Sequence, residues 1–334
     1  MTVEPTQLSW RVLDLDLEAT SARIAQSLRD ATAGILRRRG LVVAISGGID
    51  SSVCAALAVH ALGPERVFAL ILPERDSSSN SVSRGRQLAE HLGVPYEVTD
   101  IASTLDAIGC YRRRDDAIRR VIPNYGDGWR MKLVIRGGTE GQINRFRVKA
   151  VAPDGTEHDE PLGLREYLEV VAATNFKQRI RKTLEYFHAD RLNYAVVGTP
   201  NRLEYDQGFF VKNGDGSADV KPIAHLYKSQ VYALATHLGL PESLRDVNPT
   251  TDTYSLPQGQ DEFYFALPYR EMDLALWAIN HQVPDAELAK VLGVSDQRAE
   301  FIYTDIRNKR RTTRYLHRGP VLIEPVSEIE LHEG

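Results

Sequence analysis

The residues best suited to chemistry in this chain lie in one short stretch, SGGIDSS. Its polar and glycine positions are Ser46, Gly47, Gly48, Asp50, Ser51 and Ser52. Adjacent glycines let the backbone approach a ligand closely, and the three hydroxyls can donate hydrogen bonds. A helical pattern follows over residues 53–62, so the unpaired N–H groups of a helix start would point to the same place. The stretch predicts a phosphate or pyrophosphate site, although a strand-to-helix turn capped by Ser and Asp would look similar.

Asp50 is the unusual member of this stretch, because a carboxylate repels phosphate unless a divalent cation lies between them. Other phosphate-binding patterns are missing. The chain has no G-x-x-x-x-G-K-[ST] string, and no G-x-G-x-x-G follows a predicted strand. The stretch therefore indicates neither a Walker A loop nor a Rossmann dinucleotide site.

The elements around the stretch predict an α/β fold. Apolar runs at residues 41–45, 66–73 and 95–98 are typical of buried strands, and residues 77–93 form a serine-rich loop and a glycine-capped helix between two of them. This alternation favours a doubly wound, mainly parallel sheet with helices on both faces. Ligands bind at the carboxyl ends of such strands, which is where SGGIDSS lies.

Composition and charge narrow the class of protein. The 334 residues are 43% hydrophobic and 26% charged, as in a globular protein, and the net charge of −4 argues against nucleic-acid or anionic-membrane partners. The sequence shows neither a membrane-spanning run nor a signal peptide. Cys54 and Cys110 are the only cysteines, so a disulfide framework is not expected. We expect a cytoplasmic protein.

Residues 111–165 interrupt the α/β pattern. The strand-like segments RMKLVIR and RFRVKAVA, with a Pro-Asp-Gly turn after the second, predict a β-hairpin inserted into the sheet domain. Its arginines could attract an anionic substrate or simply be solvated. The expected organisation is an N-terminal helical segment at 1–40, a sheet domain at 41–110 and 170–310, the insert at 111–165 and a C-terminal tail at 311–334.

The second half of the chain adds candidate ligands at the same sheet edge. Asn175 and Arg179 lie four apart in a helical pattern and so share a face. A strand predicted at residues 192–197 leads to Glu204, which could meet Asp50 across a metal ion, although alone it would be interpreted as a solvated carboxylate at a helix start. Residues 248–262 lack periodicity and predict a lid.

Five ordered segments together resemble the ammonia-dependent NAD synthetases, a family of ATP pyrophosphatases. They are SGGIDSS, GTPNRLE, FFVKNGDGSAD, PIAHLYKSQVY and NPTTD. The resemblance covers roughly residues 20–100 and 170–310. It implies that a substrate carboxylate attacks the α-phosphate of ATP to give an acyl adenylate and pyrophosphate, and that ammonia then displaces AMP to leave a carboxamide. The implied acid is deamido-NAD. Alternatives are another carboxylic acid or a tRNA-modifying pyrophosphatase, which the balanced charge disfavours.

The resemblance also implies roles for individual residues. The SGGIDSS positions and Thr199 would bind ATP and its pyrophosphate, and Asp50 and Glu204 would hold Mg²⁺. Lys212, Lys228, Asp215 and Asp252 would be catalytic, with Asp215 near the ammonia site and Asp252 in the lid. Asn175, Arg179, Phe209 and Asp219 would bind the dinucleotide. The family is homodimeric, and it uses free ammonia or ammonia from a separate glutaminase.

The chain departs from the family pattern at several places. The insert is absent from the compact ammonia-dependent enzymes. Tyr264 stands where the family usually has an acid, Ala266 replaces a glycine, and Asn308-Lys309-Arg310-Arg311 replaces a His-Lys-Arg string. These changes lie in segments that shape or close the binding site of the second substrate, whereas the segments that would bind ATP match the family. The resemblance therefore supports the adenylation chemistry more than the identity of the acid.

Overall fold

Two sheets form in the computed structural model, which describes residues 8–136, 145–246, 254–256, 259, 264 and 267–326. The strands are β1 Leu41–Ala44, β2 Val67–Ile71, β3 Tyr96–Val98, β4 Arg130–Arg136, β5 Arg145–Val151, β6 Glu157–Pro161 and β7 Ala195–Val197. The first sheet has the order β3-β2-β1-β7, and all its pairings are parallel. The second has the order β4-β5-β6 and is antiparallel.

Twelve helices accompany the strands in these residues. They are α1 Leu17–Asp30, α2 Ile49–Leu62, α3 Ser79–Leu92, α4 Ala102–Ala107, α5 Cys110–Arg119, α6 Leu164–Leu192, α7 Arg202–Gln207, α8 Lys228–His237, α9 Glu242–Arg245, α10 Tyr269–Asn280, α11 Asp285–Leu292 and α12 Asp296–Thr313. Local signals set several of their ends. Asp16 accepts a hydrogen bond from the Ala19 N–H at the start of α1, and Gly93 ends α3 in the left-handed conformation. No helix in the described ranges is long and apolar enough to span a membrane.

Alternate residues of β1 point to opposite faces of the parallel sheet, and helices cover both. Leu41 and Val43 pack with α1, α2 and α8 in the largest hydrophobic cluster, whereas Val42 packs with residues of α4, α5 and α6. The predicted doubly wound α/β fold with an inserted hairpin is thus confirmed. The parallel strands are buried on both sides, which explains why they read as continuous apolar runs.

Several boundaries differ from the prediction. The insert contains a third strand, β6, so the hairpin of β4 and β5 is extended into a three-stranded sheet. α6 begins at Leu164 rather than near residue 174 and is 29 residues long. β7 begins only at Ala195, because Asn193 ends α6 in the left-handed conformation at φ 56°. Since one continuous helix crosses residues 165–170, no linker separates the predicted insert from the sheet domain there.

A buried ionic network ties the insert side of the molecule to the parallel sheet. Lys177 on α6 is 1% exposed, and its ammonium lies 2.9 Å from Glu74 and 2.7 Å from Asp76, which follow β2. Arg114 on α5 lies 2.6 Å from the same Asp76 oxygen. The Tyr111 hydroxyl donates to Glu74 at 2.9 Å. Lys177 and Arg114 thus share the Asp76 carboxylate in a site that water barely reaches.

Candidate active site

A cavity of about 1500 Å³ opens at the carboxyl ends of the parallel strands. Loops that follow β1, β2 and β7 form one side, one face of α6 forms another, and the insert closes a third. The predicted phosphate stretch lies at this edge, as expected for a ligand site in a parallel α/β sheet. The volume exceeds what one nucleotide needs, since small-molecule pockets usually span about 300–1,000 Å³.

The hydroxyls of the phosphate stretch form a local hydrogen-bond network. The Ser46 and Ser51 hydroxyls lie 3.2 Å apart, and the Gly48 N–H donates to the Ser46 hydroxyl at 3.3 Å. Both residues line the cavity. Ser52 does not: its side chain is buried, and its hydroxyl donates to the Gly48 carbonyl at 2.9 Å. The geometry favours Ser52 as a support of the turn rather than as a phosphate ligand.

Gly47→Ala should raise the KM for ATP and lower the melting temperature. Gly47 has φ +80°, and an added Cβ would lie 2.9 Å from the Ser81 carbonyl oxygen, so the turn would have to rearrange. Left-handed strain of this kind costs about 1–3 kcal/mol. Gly93→Ala is the matched control, because Gly93 has φ +66° but open space around it. The control should lose stability and keep the KM for ATP; an equal change in KM in both variants would contradict the assignment.

Four polar side chains from the starts of three helices, α2, α7 and α8, converge beside the phosphate stretch. Asp50 forms an ion pair with Lys228, and its other oxygen accepts a hydrogen bond from the Asn201 amide at 3.1 Å. Asn201 caps α7, and Glu204 completes the capping box by accepting from the Asn201 N–H at 3.1 Å. Asp50, Glu204 and Lys228 all line the cavity. The sheet edge therefore brings these three predicted residues together, and Asn201 joins them unpredicted.

Lys228 keeps its charge despite being 2% exposed. Burial is the largest single effect and lowers the pKa of its ammonium, but the charges of Asp50 and Glu204 and the hydrogen bond to Asp50 act together in the other direction, and the net result is a raised pKa. Burial, and then these same two carboxylates, raise the pKa of the Cys54 thiol, so this cysteine is an inert core residue. The cavity thus presents a permanent buried cation next to two carboxylates.

Asp273 holds the start of α8 and so positions Lys228. Its carboxylate accepts the Lys228 N–H at 3.0 Å and the Ser229 N–H at 2.7 Å. Burial raises the pKa of Asp273 to about 6, although these backbone hydrogen bonds act to lower it. Because an unfolded Asp titrates near 3.9, the folded protein binds an extra proton between about pH 4 and 6. The stability contributed by Asp273 therefore falls as the pH rises through this window.

Asp273→Asn should remove that pH dependence. The free energy of unfolding of the unchanged protein, measured relative to the variant in urea, should fall between pH 4 and 6 and stay level from pH 7 upward. Both proteins would be titrated with urea at one-unit steps from about pH 4 to about pH 8, a range that spans the titration of Asp273. A constant difference across this series would show that Asp273 titrates alike in the folded and unfolded chains.

The donor set fits a magnesium ion held jointly with a substrate. Mg²⁺ binds through one or two carboxylates together with waters and substrate phosphates, and Asp50 and Glu204 offer two carboxylates on one cavity wall. Among the described residues, no group of three or more His, Cys, Asp or Glu side chains is arranged to hold a metal ion. The phosphates of ATP would therefore have to supply part of the coordination.

One face of α6 forms a long wall of the cavity. The polar residues on this face are Thr174, Asn175, Gln178, Arg181, Lys182 and Glu185. Of the pair predicted to share a face, Asn175 lines the cavity, whereas Arg179 is exposed and donates to the Lys212 carbonyl at 3.4 Å. Sequence reasoning missed Gln178, Lys182 and Glu185, although their spacing of three, seven and ten from Asn175 repeats the helical period.

Three other predicted residues also line the cavity. Thr199 follows β7, and Phe209 stacks on Tyr264 with ring centroids 4.6 Å apart. Asp215 accepts the Val211 N–H at 2.8 Å, and burial raises the pKa of its carboxyl group. The substituted position Tyr264 donates to the Gln207 carbonyl at 2.7 Å, so its hydroxyl has a structural partner.

Lys212 and Asp219 do not face the cavity. The Lys212 ammonium donates to the carbonyls of Tyr315 and Arg318, at 2.9 and 2.7 Å. Asp219 accepts the Val196 N–H at 2.7 Å and so supports the edge of β7. Together with Arg179, these residues were predicted from the resemblance to contact phosphates or the dinucleotide, and the structure does not bring them to Asp50. Asp252 and the NPTTD segment lie outside the described residues.

The insert contributes directly to the cavity wall, a role for which the sequence left two possibilities open, attraction of an anionic substrate and simple solvation. Asp127, Trp129 and Arg130 line the cavity, so at least one arginine of the insert can meet a bound anion. Others are engaged elsewhere; Arg147, for example, pairs with Asp159 at 2.6 Å. The Met131 N–H donates to the Ser255 hydroxyl at 2.8 Å, and the backbone of residue 256 pairs with the Met131 carbonyl.

The fold and the site define an α/β nucleotide-binding protein with a pyrophosphate-type loop and a buried Asp–Lys pair beside it. The chain belongs to the NAD synthase family, whose sequence profile matches residues 20–133 and 152–315. An NH₃-dependent NAD⁺ synthetase of Rhizobium rhizogenes is 54% identical over 320 residues, which cover 96% of this chain and 96% of the relative.

Solved structures show the same fold. The NMN synthetase of Francisella tularensis has a TM-score of 0.64 at 21% identity, over 92% of this chain and 99% of that one. The NH₃-dependent NAD synthetase of Campylobacter jejuni has a TM-score of 0.61 at 22% identity, over 93% of this chain and all of that one. At these identities the likeness concerns the fold alone.

Proposed function

We propose that this protein is a C–N bond-forming ligase that converts deamido-NAD, ATP and ammonia into NAD, AMP and pyrophosphate. The observation that carries the proposal is the meeting of Asp50, Glu204 and Lys228 beside the SGGIDSS loop, in a cavity large enough for two nucleotides. Membership of the NAD synthase family and a relative of the same length support the choice of acid.

In the first step, the carboxylate oxygen of the acid attacks the α-phosphorus of ATP and pyrophosphate leaves. Ser46, Ser51 and the N–H groups at the start of α2 would hold the pyrophosphate. Lys228 would stabilise the negative charge that develops on the phosphoryl oxygens, and its burial strengthens this effect. Asp50 and Glu204 would hold Mg²⁺, which when bound neutralises phosphate charge.

In the second step, the ammonia nitrogen bonds to the acyl carbon and the C–O bond to AMP breaks. The nitrogen must lose a proton, and Asp215 on the cavity wall is the carboxylate that we assign to accept it. Asn175 and Phe209 would position the dinucleotide. Asp252 keeps the catalytic role that the resemblance implies.

The decisive experiment is an assay of purified protein with ATP, deamido-NAD and ammonium, with NAD, AMP and pyrophosphate measured separately. Equal yields of the three products are expected. If AMP does not rise above background with deamido-NAD but does rise with nicotinate mononucleotide or another carboxylic acid, the adenylation chemistry stands and the acid is different. If no carboxylate supports AMP formation, the proposal fails.

The remaining parts of the proposal concern the location and oligomeric state of the protein and the source of its ammonia. We assign the protein to the cytoplasm as a homodimer, using free ammonia or ammonia from a separate glutaminase, with no nucleic-acid or membrane partner. Light scattering of the purified protein tests the dimer. Replacement of ammonium by glutamine in the assay tests the nitrogen source, and only ammonium should support NAD formation.

A further inference from the structure

A further buried ion pair on the cavity wall has no part in the ATP chemistry proposed above. Lys182 and Glu185 are three residues apart on α6, with their charged atoms 2.6 Å apart. Their side chains are only 7% and 5% exposed, yet both line the cavity. A buried ion pair seldom stabilises a fold more than apolar side chains of similar size would. Stability alone therefore does not account for this pair.

The pair lies close to Asp215. The loop that carries Asp215 packs on the same face of α6, because a Cβ on Gly214 would come within 2.9 Å of the Gln178 Cβ, one turn before Lys182. The charged groups that face Asp215 are Arg181, Lys182 and Glu185 on α6, and Lys221 after β7. Lys182 and Arg181 act to lower the pKa of Asp215, against the larger effect of burial.

We propose that Lys182 and Glu185 are positioning residues for amidation, which together set the electrostatic potential at Asp215 so that it can take a proton from the attacking nitrogen. The inference rests on the proposed function, in which Asp215 is the proton acceptor. Lys182 favours the ionised form of the Asp215 carboxylate, against the effect of burial. Glu185 neutralises Lys182, so that an incoming ammonium ion is not repelled.

The two single variants should therefore shift the pH profile in opposite directions. In Lys182→Met, Asp215 loses a neighbouring cation, and the acid limb of kcat/KM for ammonia should move up by about one pH unit. In Glu185→Gln, Lys182 is left unneutralised, and the same limb should move down by a smaller amount. A unit charge at about 10 Å produces a shift of this order at an effective dielectric constant near 20. The solution equilibrium of ammonium is common to all variants and cancels.

Each single variant leaves one buried charge unpaired, which destabilises the fold. The double variant Lys182→Met/Glu185→Gln leaves none, so it provides the test if a single variant does not fold. Its acid limb should also move up, by less than in Lys182→Met, because Lys182 acts on Asp215 more strongly than Glu185 does. Arg165→Met is the matched control, because it breaks the exposed pair of Arg165 and Glu169 on the same helix. The control should leave the limb unchanged.

Two results would overturn the inference and assign the pair to the stability of the fold. One is an acid limb that stays unchanged in both single variants while their melting temperature falls, and the other is a shift of the limb in the same direction in both. Failure of the proposed function can be distinguished from failure of this inference. In that case the unchanged protein would form no NAD from deamido-NAD and ammonium at any pH, and there would be no profile to compare.

Discussion

Asp50→Asn should abolish adenylate formation while leaving the protein folded. Asparagine has nearly the same shape and can still accept the hydrogen bond from Asn201. It lacks the charge that would hold a cation against the phosphates and that balances the buried Lys228. We expect ATP–pyrophosphate exchange with deamido-NAD to fall by at least about a thousandfold, the scale of losses seen when a key electrostatic group is removed.

The measurement needs a test of folding and a control variant in which a carboxylate outside the site is replaced. Circular dichroism and the melting temperature report on folding, and Asp106→Asn replaces an exposed carboxylate on α4. Asp106→Asn should exchange pyrophosphate at the rate of the unchanged protein. Survival of exchange in Asp50→Asn would show that the metal role assigned to Asp50 is mistaken.

Lys228→Met should slow the chemical step by a few powers of ten. Methionine fills a similar volume, but it cannot stabilise the charge on the phosphoryl oxygens, a loss of about 3–4 kcal/mol. Single-turnover measurement of AMP formation isolates this step from product release. Lys228→Arg keeps the charge with a different shape, and we expect it to recover part of the rate.

Two comparisons make the Lys228 result interpretable. Lys290→Met removes an exposed lysine from α11 and should leave the rate unchanged. The double variant Asp50→Asn/Lys228→Met should be about as slow as Asp50→Asn alone, since paired residues act as one unit. Strictly additive losses would instead indicate that the two residues contribute to separate steps.

The phosphate stretch and its partners were predictable because topology alone brings them together. SGGIDSS, Thr199 and Glu204 each follow a parallel strand, and such strand ends meet at one sheet edge. Lys228 was implied by resemblance, and its contact with Asp50 follows from the packing of α8 against α2. For these residues, motif and strand order were sufficient.

Side-chain direction was not predictable in the same way. Ser52 is one residue from Ser51 in the sequence, but the start of a helix turns neighbouring side chains about 100° apart, so that one faces the cavity and the other the core. Arg179 and Lys212 were expected at the substrate site, yet local backbone carbonyls accept hydrogen bonds from both. Such choices depend on tertiary partners distant in the sequence.

The buried network of Lys177, Asp76 and Arg114 determines what protein engineering can do with the insert. Deleting residues 111–165 would remove Arg114 and Tyr111 but leave Lys177 facing two carboxylates, and so strand one negative charge in the interior. Grafting the same segment into another scaffold would leave Arg114 with Asp115 as a partner but without Asp76. The insert is therefore not an exchangeable module: it and the sheet domain must be redesigned together, charge for charge.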